Sequence, residues 1–250
     1  MRDYTNLQWP EAPFGADQRP FGHRSDMLTA FAMDWTTRVD AGPLPVAAAT
    51  VYLRVRRYGI AYQVGEDSLC LGFRATVIDD SADIPALLGT LDRALTRARR
   101  HAAILAGHRL GDDLTRMAEL SAVPLRGAAG VLAAWANRAV KERGLALMLD
   151  TANEARATGA DLDMSLDPVP EPVPDCAGRA AGQARCVLAR CLAVGLTAAV
   201  HAGRYRWEGT FPVDDAIERA GWDLLGTDAG HGDRSHRHET TRRPVAHAAR

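Results

Sequence analysis

Lysine is almost missing from this 250-residue chain: Lys141 is the only one, and the remaining basic residues are arginine. Together with abundant alanine this is the composition of a high-GC genome, a fact about codons before it is one about function. Cysteine is scarce. Cys70, Cys176, Cys186 and Cys191 form no Cys-x-x-Cys pair, and the Cys186/Cys191 spacing suits no zinc knuckle, so buried free thiols are expected. No apolar run approaches the roughly 18–20 residues of a membrane span. The N-terminus has no positive segment followed by an apolar one, so no secretory signal is read and a cytoplasmic protein without membrane contact is expected. Excess charge is absent too. A net charge of −1 excludes a protein that coats nucleic acid by charge alone, while leaving room for a local basic groove. Phosphate-binding glycine loops, Gly-x-Ser-x-Gly and His-Glu-x-x-His do not occur, which removes P-loop, dinucleotide, α/β-hydrolase and zincin chemistry. No internal repeat is visible.

What remains is an ordinary globular composition, 47% hydrophobic and 24% charged, long enough for one large domain. Residues 1–25, rich in Pro, Gly and aromatics, read as an irregular arm. The domain is expected over residues 26–225. Met27–Met33 is an apolar run ending at Asp34, a buried strand. Ala47–Arg57 alternates Val51, Leu53 and Val55 with Tyr52, Arg54 and Arg56, the period of a strand, and Ser68–Val77 is a third. The period then changes. Ile84, Leu87, Leu88, Leu91, Leu95 and Ala98 form one helical stripe behind Asp83 and Pro85. Ala102–Ala106 and Leu145–Leu149 are short strands. Helices are expected from Asp112 or Asp113 to Leu120, over about 127–143, over about 177–201 and from about 212 to 225. Residues 158–175, with alternating prolines and five acids, form an extended linker within the domain. Residues 226–250 are a polar tail, read as disordered; its last twenty residues carry five arginines against one Asp and one Glu. Three sequential strands followed by strands separated by helices predict an α/β fold: a mixed sheet with an antiparallel meander, parallel strands and helices on both faces.

Acids fall where such a sheet brings distant segments together. Asp34 and Asp150 end strands, Asp112 and Asp113 follow a strand by a short turn, and Asp214 and Asp215 open a late helix. Converging carboxylates repel unless a cation sits among them, and hard oxygen ligands suit Mg²⁺ or Mn²⁺. The competing reading for Asp112, Asp113, Asp214 and Asp215 is helix capping.

These motifs resemble the DEDD 3′–5′ exonuclease superfamily, which has the ribonuclease H-like fold. Phe31-Ala32-Met33-Asp34-Trp35-Thr36 occupies the place of its strand-terminal Asp-x-Glu. Leu105 to Leu114 (LAGHRLGDDL) matches the length of its Gly-His-Asn-x-x-Phe-Asp-Leu motif, and Met148-Leu149-Asp150-Thr151 its strand ending in Asp-Thr. The last motif places His or Tyr four residues before an Asp on a helix, for which Asp214 and Asp215 are the candidates. The resemblance spans residues 26–225. It implies metal-dependent phosphodiester hydrolysis at nucleic-acid 3′ ends, with Asp34 and Asp113 as Mg²⁺ or Mn²⁺ ligands, Asp214 or Asp215 completing the site, Asp112 as a stand-in ligand, and His201 or Tyr205 as base. The sequence also departs from the pattern. Thr36 replaces the second acid, Arg109 replaces the Asn, and Thr210 and Phe211 stand four residues before the late acids. Arg109 is placed to reach Asp34 and take a metal's position with its own charge.

Two functions follow. One is an active exonuclease on single-stranded DNA or RNA ends. The other is an inactive protein of the same fold that binds nucleic acid or a protein partner. For nucleic-acid contact the candidates are Arg109, Arg54 and Arg56 on the basic strand, and Arg204, Arg206 and Trp207 in a segment that also holds His201 and Tyr205. A charged strand face and a packed hairpin are the alternative readings of the last two.

Overall fold

The computed structural model describes residues 1–7, 27–36, 42–55, 60–137, 145–153, 160–167 and 180–222. Eight strands and five α-helices lie among them. The strands are β1 (Arg2–Thr5), β2 (Met27–Trp35), β3 (Pro45–Arg54), β4 (Tyr62–Gln63), β5 (Leu71–Val77), β6 (Ile104–Gly107), β7 (Leu147–Asp150) and β8 (Tyr205–Arg206). The helices are α1 (Ile84–His101), α2 (Leu110–Leu120), α3 (Arg126–Ala136), α4 (Ala180–His201) and α5 (Val213–Arg219).

Six strands form one mixed sheet in the order β1-β5-β3-β2-β6-β7. β2 is its axis. It runs antiparallel to β3, with Phe31 opposite Thr50, and parallel to β6, with Phe31 opposite Gly107. β6 runs parallel to β7, so the carboxyl ends of β2, β6 and β7 open at one edge. Alternation along β2 and β3 sends Leu28, Ala30, Ala32, Val51 and Leu53 to one face, and Met27, Phe31, Met33 and Ala48 to the other. α4 and α5 cover the first face, and α1, α2 and α3 the second. The mixed α/β sheet with helices on both faces is as expected.

Small residues set how closely α4 approaches. Gly195 lies against Ala30, Leu28 and Leu53, and the Cys191 thiol donates to the Ala30 carbonyl at 3.2 Å. Burial pushes that thiol well above its ordinary pKa. Cys70 and Cys186 are half-buried, and Cys176 lies outside the described residues. α4 is long and apolar enough to cross a membrane by length and composition, contrary to the reading that no run approaches a span; most of it is buried in the protein.

Several boundaries move. Residues 2–5 are an edge strand on β5 rather than part of an irregular arm. The arm is secured by Asn6, whose amide donates to the Leu71 and Ala220 carbonyls while its oxygen accepts from Phe73 N–H. Arg56 and the remainder of the predicted second strand, residues 8–26, and the tail from 223 onward lie outside the described residues. β8 is half of a parallel pair with β4, not of a hairpin. Part of the linker is structured: Leu162 bridges Phe211, and Asp163 accepts from Val213 N–H at 3.1 Å.

α1 and α3 meet where a side chain has no room. A Cβ on Gly127 would lie 2.1 Å from the Asp92 carbonyl oxygen and 2.3 Å from Thr96 Oγ1. The Asp92 carboxylate also accepts from the next amide, Ala128 N–H, at 2.8 Å. Gly127→Ala is therefore expected to lower stability by about 1–3 kcal/mol, because backbone must move. Gly65→Ala, in open space, is expected to stay within about 0.5 kcal/mol. Denaturant titrations of both variants check this; equal midpoints would contradict the close approach.

Candidate functional site

The site grows from the end of β2. The β2–β3 register slips between Asp34 and Trp35, where Asp34 pairs with Ala47 and Trp35 with Pro45. Such a bulge re-aims side chains at a strand end. Asp34 leans toward α4 and meets Arg190, whose guanidinium bonds its carboxylate and also donates to the Met33 carbonyl at 2.7 Å. The side chains are 20% and 11% exposed, so this ion pair is largely removed from water. Trp35 leans toward α2, and its indole N–H donates to Asp113 Oδ1 at 2.8 Å. The Arg116 guanidinium lies over the Trp35 ring, 5.6 Å from its centroid.

Asp113 is held near neutrality. Burial pushes its carboxyl up to about 7, against the Trp35 hydrogen bond and the charges of Arg190 and Arg116, which favour the anion; Asp112 adds a small push upward. Arg190 thus acts on both acids. Asp34 and Asp113, read from the sequence as a pair, both lie at this end of the sheet, Asp34 held from α4 and Asp113 on α2.

The cation on Asp34 is not the expected one. Arg109 points elsewhere, 3.7 Å from Asp167, and its backbone N–H donates to Asp150 at 3.2 Å. Arg109 is the one non-glycine residue with positive φ, 57°, among those described, a conformation that costs about 1–2 kcal/mol. Asp150 is buried and accepts from Arg109 N–H, Ala152 N–H and the Asn153 amide, so it organises the turn after β7.

The other candidates scatter. Asp112 is an exposed first-turn residue of α2, which begins at Leu110 with Arg109 before it; neither Asp112 nor Asp113 is the cap. Asp214 and Asp215 are exposed in the first turn of α5, behind Pro212 rather than at the cap, and Asp214 pairs with Arg185 at 3.1 Å. Thr36 accepts from Leu44 N–H at 3.0 Å and closes the β2–β3 connection. His201 is exposed at the end of α4. The Tyr205 hydroxyl donates to the Arg54 carbonyl, and burial pushes its pKa upward. Arg54 pairs with Met27, seven residues back from Asp34, which places Tyr205 roughly 23 Å from the acids at strand rise. Arg54, Arg204 and Arg206 belong to that far end of the sheet. Trp207 is structural: it packs on Phe211 at 5.2 Å and donates to the Asp161 carbonyl at 3.0 Å.

Mg²⁺ or Mn²⁺, which the resemblance implies, needs open carboxylate oxygens converging on one point. Arg190 holds Asp34, the indole holds one oxygen of Asp113, and the Arg190 charge also acts on Asp113. Among the described residues no group of three or more His, Cys, Asp or Glu side chains is placed to hold a metal. This donor set does not fit a metal pair. Comparison with family models, with curated proteins and with solved structures finds no match.

Arg190 escaped the sequence reading, although a signal was there. It is the only charge between Val187 and Val200 in an apolar helix, and a charge buried in such a run needs a partner.

Asp113 carries a pH signature. Unfolded it ionises near 3.8 and folded near 7, so between those values the native state holds the extra proton. Stability then falls as pH rises through that window, by on the order of 3 kcal/mol from this group. Asp113→Asn is expected to flatten the urea-unfolding free energy between pH 4 and 7. Equal slopes for both proteins would contradict an Asp113 whose pKa is raised in the folded state.

Proposed function

We propose that this chain is a non-catalytic protein on a ribonuclease H-like sheet, a binding module for single-stranded nucleic acid in which the nuclease acid site is closed from within. The observation that carries the reading is the Arg190 guanidinium on Asp34. In a two-metal nuclease, metal ions at this place would hold the attacking and leaving oxygens. A guanidinium offers five N–H donors and no open coordination position, so it neutralises the acids and activates no water.

The fold-family part of the reading is supported by topology. β2, β3 and β5 form an antiparallel meander with β2 innermost, and β6 and β7 continue parallel on its other side. Asp34 and Asp113 at the carboxyl edge are where the resemblance expects its acids. Exposed Arg109 at that edge, and Arg54 and Arg206 at the other, supply phosphate contacts.

The active exonuclease is the second reading, favoured by the presence of Asp34 and Asp113 at the same end of the sheet. One assay separates them. Purified protein is incubated with 5′-labelled single-stranded DNA or RNA and Mg²⁺, Mn²⁺ or EDTA, and binding is followed in EDTA by fluorescence anisotropy. The expected result is intact oligonucleotide under every condition, with binding that weakens steeply as salt rises. A metal-dependent ladder of 3′-shortened products, lost in Asp34→Ala and Asp113→Ala, would overturn the proposal.

A further inference from the structure

Away from the acid site, α1 turns a row of arginines to solvent. Its buried side is Leu87, Leu88, Leu91, Leu95 and Ala98. Arg93, Arg97 and Arg100 follow an i, i+4, i+7 spacing on the opposite side, within about 60° of one another around the helix axis. Arg93 and Arg100 are exposed and Arg97 is half-buried. Two more arginines carry the charge onto α3. Arg126 is exposed at its start, and Arg99 reaches across to it, with Nη1 2.9 Å from where a Cβ on Gly130 would stand.

This charge is segregated in a protein of net charge −1. α1 and α3 hold five arginines and one acid, Asp92, whose carboxylate is turned to Ala128 N–H at 2.8 Å. Among the described residues no ion pair joins Arg93, Arg97, Arg100 or Arg126 to an acid. Like charges at i, i+4 cost a helix stability, and a merely solvated face avoids this by interleaving glutamates. The helix dipole accounts for Arg99 and Arg100 in the last turn, but not for Arg93 and Arg97 before it. Arg93 is also oriented. Its Nη2 donates to Thr90 Oγ1 at 3.1 Å, and the Thr90 hydroxyl donates to the Ala86 carbonyl at 2.9 Å. The guanidinium therefore lies back along the helix beside Gly89, and the bond to Thr90 uses one of its five donors.

We propose that the α1 arginine row is a track for the phosphodiester backbone of a nucleic-acid strand. The inference rests on the binding-module reading and names the surface and the mode of contact. Successive arginines of the row are about 6 Å and about 4.5 Å apart along the axis, a spacing of the same order as that of phosphates along a strand. Such contact needs no enclosed cradle. Exposed cations displace the counterions condensed on the strand, and that release supplies affinity independent of sequence. The exposed large apolar residues among those described are Met1, Ile60, Tyr62, Leu120 and Val123, none of them on α1 or α3. The face thus offers no ring for base stacking and no apolar anchor for a protein partner, and its chemistry fits phosphate alone.

The test follows the fluorescence anisotropy of a labelled single-stranded oligonucleotide of mixed sequence from about 50 to about 200 mM salt. It compares the full chain with the triple variant Arg93→Gln, Arg97→Gln, Arg100→Gln and with its counterpart Arg93→Lys, Arg97→Lys, Arg100→Lys, each shown folded by circular dichroism. The glutamine triple is expected to bind roughly tenfold more weakly at the low-salt end, about two- to threefold for each exposed pair lost. Its slope of log affinity against log salt is expected to fall by about 2, at roughly 0.7 per phosphate contact. The lysine triple is expected to keep the slope, because counterion release counts charges. The parent's affinity and slope in the glutamine triple would overturn the track and leave the binding-module reading standing on the sheet-edge arginines. Polyglutamate that displaces the oligonucleotide as well as unlabelled oligonucleotide does, at equal charge, would assign the face to an acidic protein and overturn the track too. A full chain that binds no oligonucleotide would overturn both the track and the reading beneath it.

Discussion

The arrangement at the sheet edge depends on one ion pair, Arg190 with Asp34. An apolar helix that crosses a buried sheet face admits a charge only where a partner meets it. Asp34 supplies that partner because β2 runs one step past its last apolar residue before the bulge. The same guanidinium holds the Met33 carbonyl and lies close enough to Asp113 to act on its charge. Removing it would leave Asp34 without its cation and take from Asp113 one of the charges that favour its anion.

The packing of α4 makes this contact reachable. Ala, Cys and Gly side chains on the helix meet Ala30, Ala32, Ala47 and Ala49 on the sheet, so the axis lies close and Arg190 spans the gap to the strand end. Larger residues at Cys191 or Gly195 would lift the helix away. The stability of the core and the closure of the acid site are consequences of the same small residues.

How much of this was legible follows from what each signal encodes. Alternation in β3 and the leucine stripe of α1 report burial on one face, and a strand and a helix form there, β3 starting two residues before the expected Ala47. Asp34 was legible because an acid after an apolar strand has no packing reason to be there, and Asp113 through its place in the Gly-His motif of the resemblance. Direction was not legible. Arg109 and Arg190 are both arginines, and only the fold decides that the first turns toward Asp167 and the second toward Asp34. The His-Arg-Tyr-Trp segment had a composition suited to nucleic acid, but its Tyr205 and Trp207 serve the protein's own packing, since composition does not say which way a ring faces. The αL conformation of Arg109 has no sequence signal, because an arginine there is held by the tertiary bond to Asp150.

The central claim is that Arg190 and Asp34 neutralise each other, and a double-mutant cycle measures this most directly. Arg190→Met, Asp34→Asn and the double variant would be unfolded in urea at pH 7. The account predicts that each single change destabilises the protein by about 2 kcal/mol and that the double variant recovers more than about 1 kcal/mol of their sum, the coupling of a real pair. Additive losses would show that the two charges do not interact, and the closed acid site would fall with them.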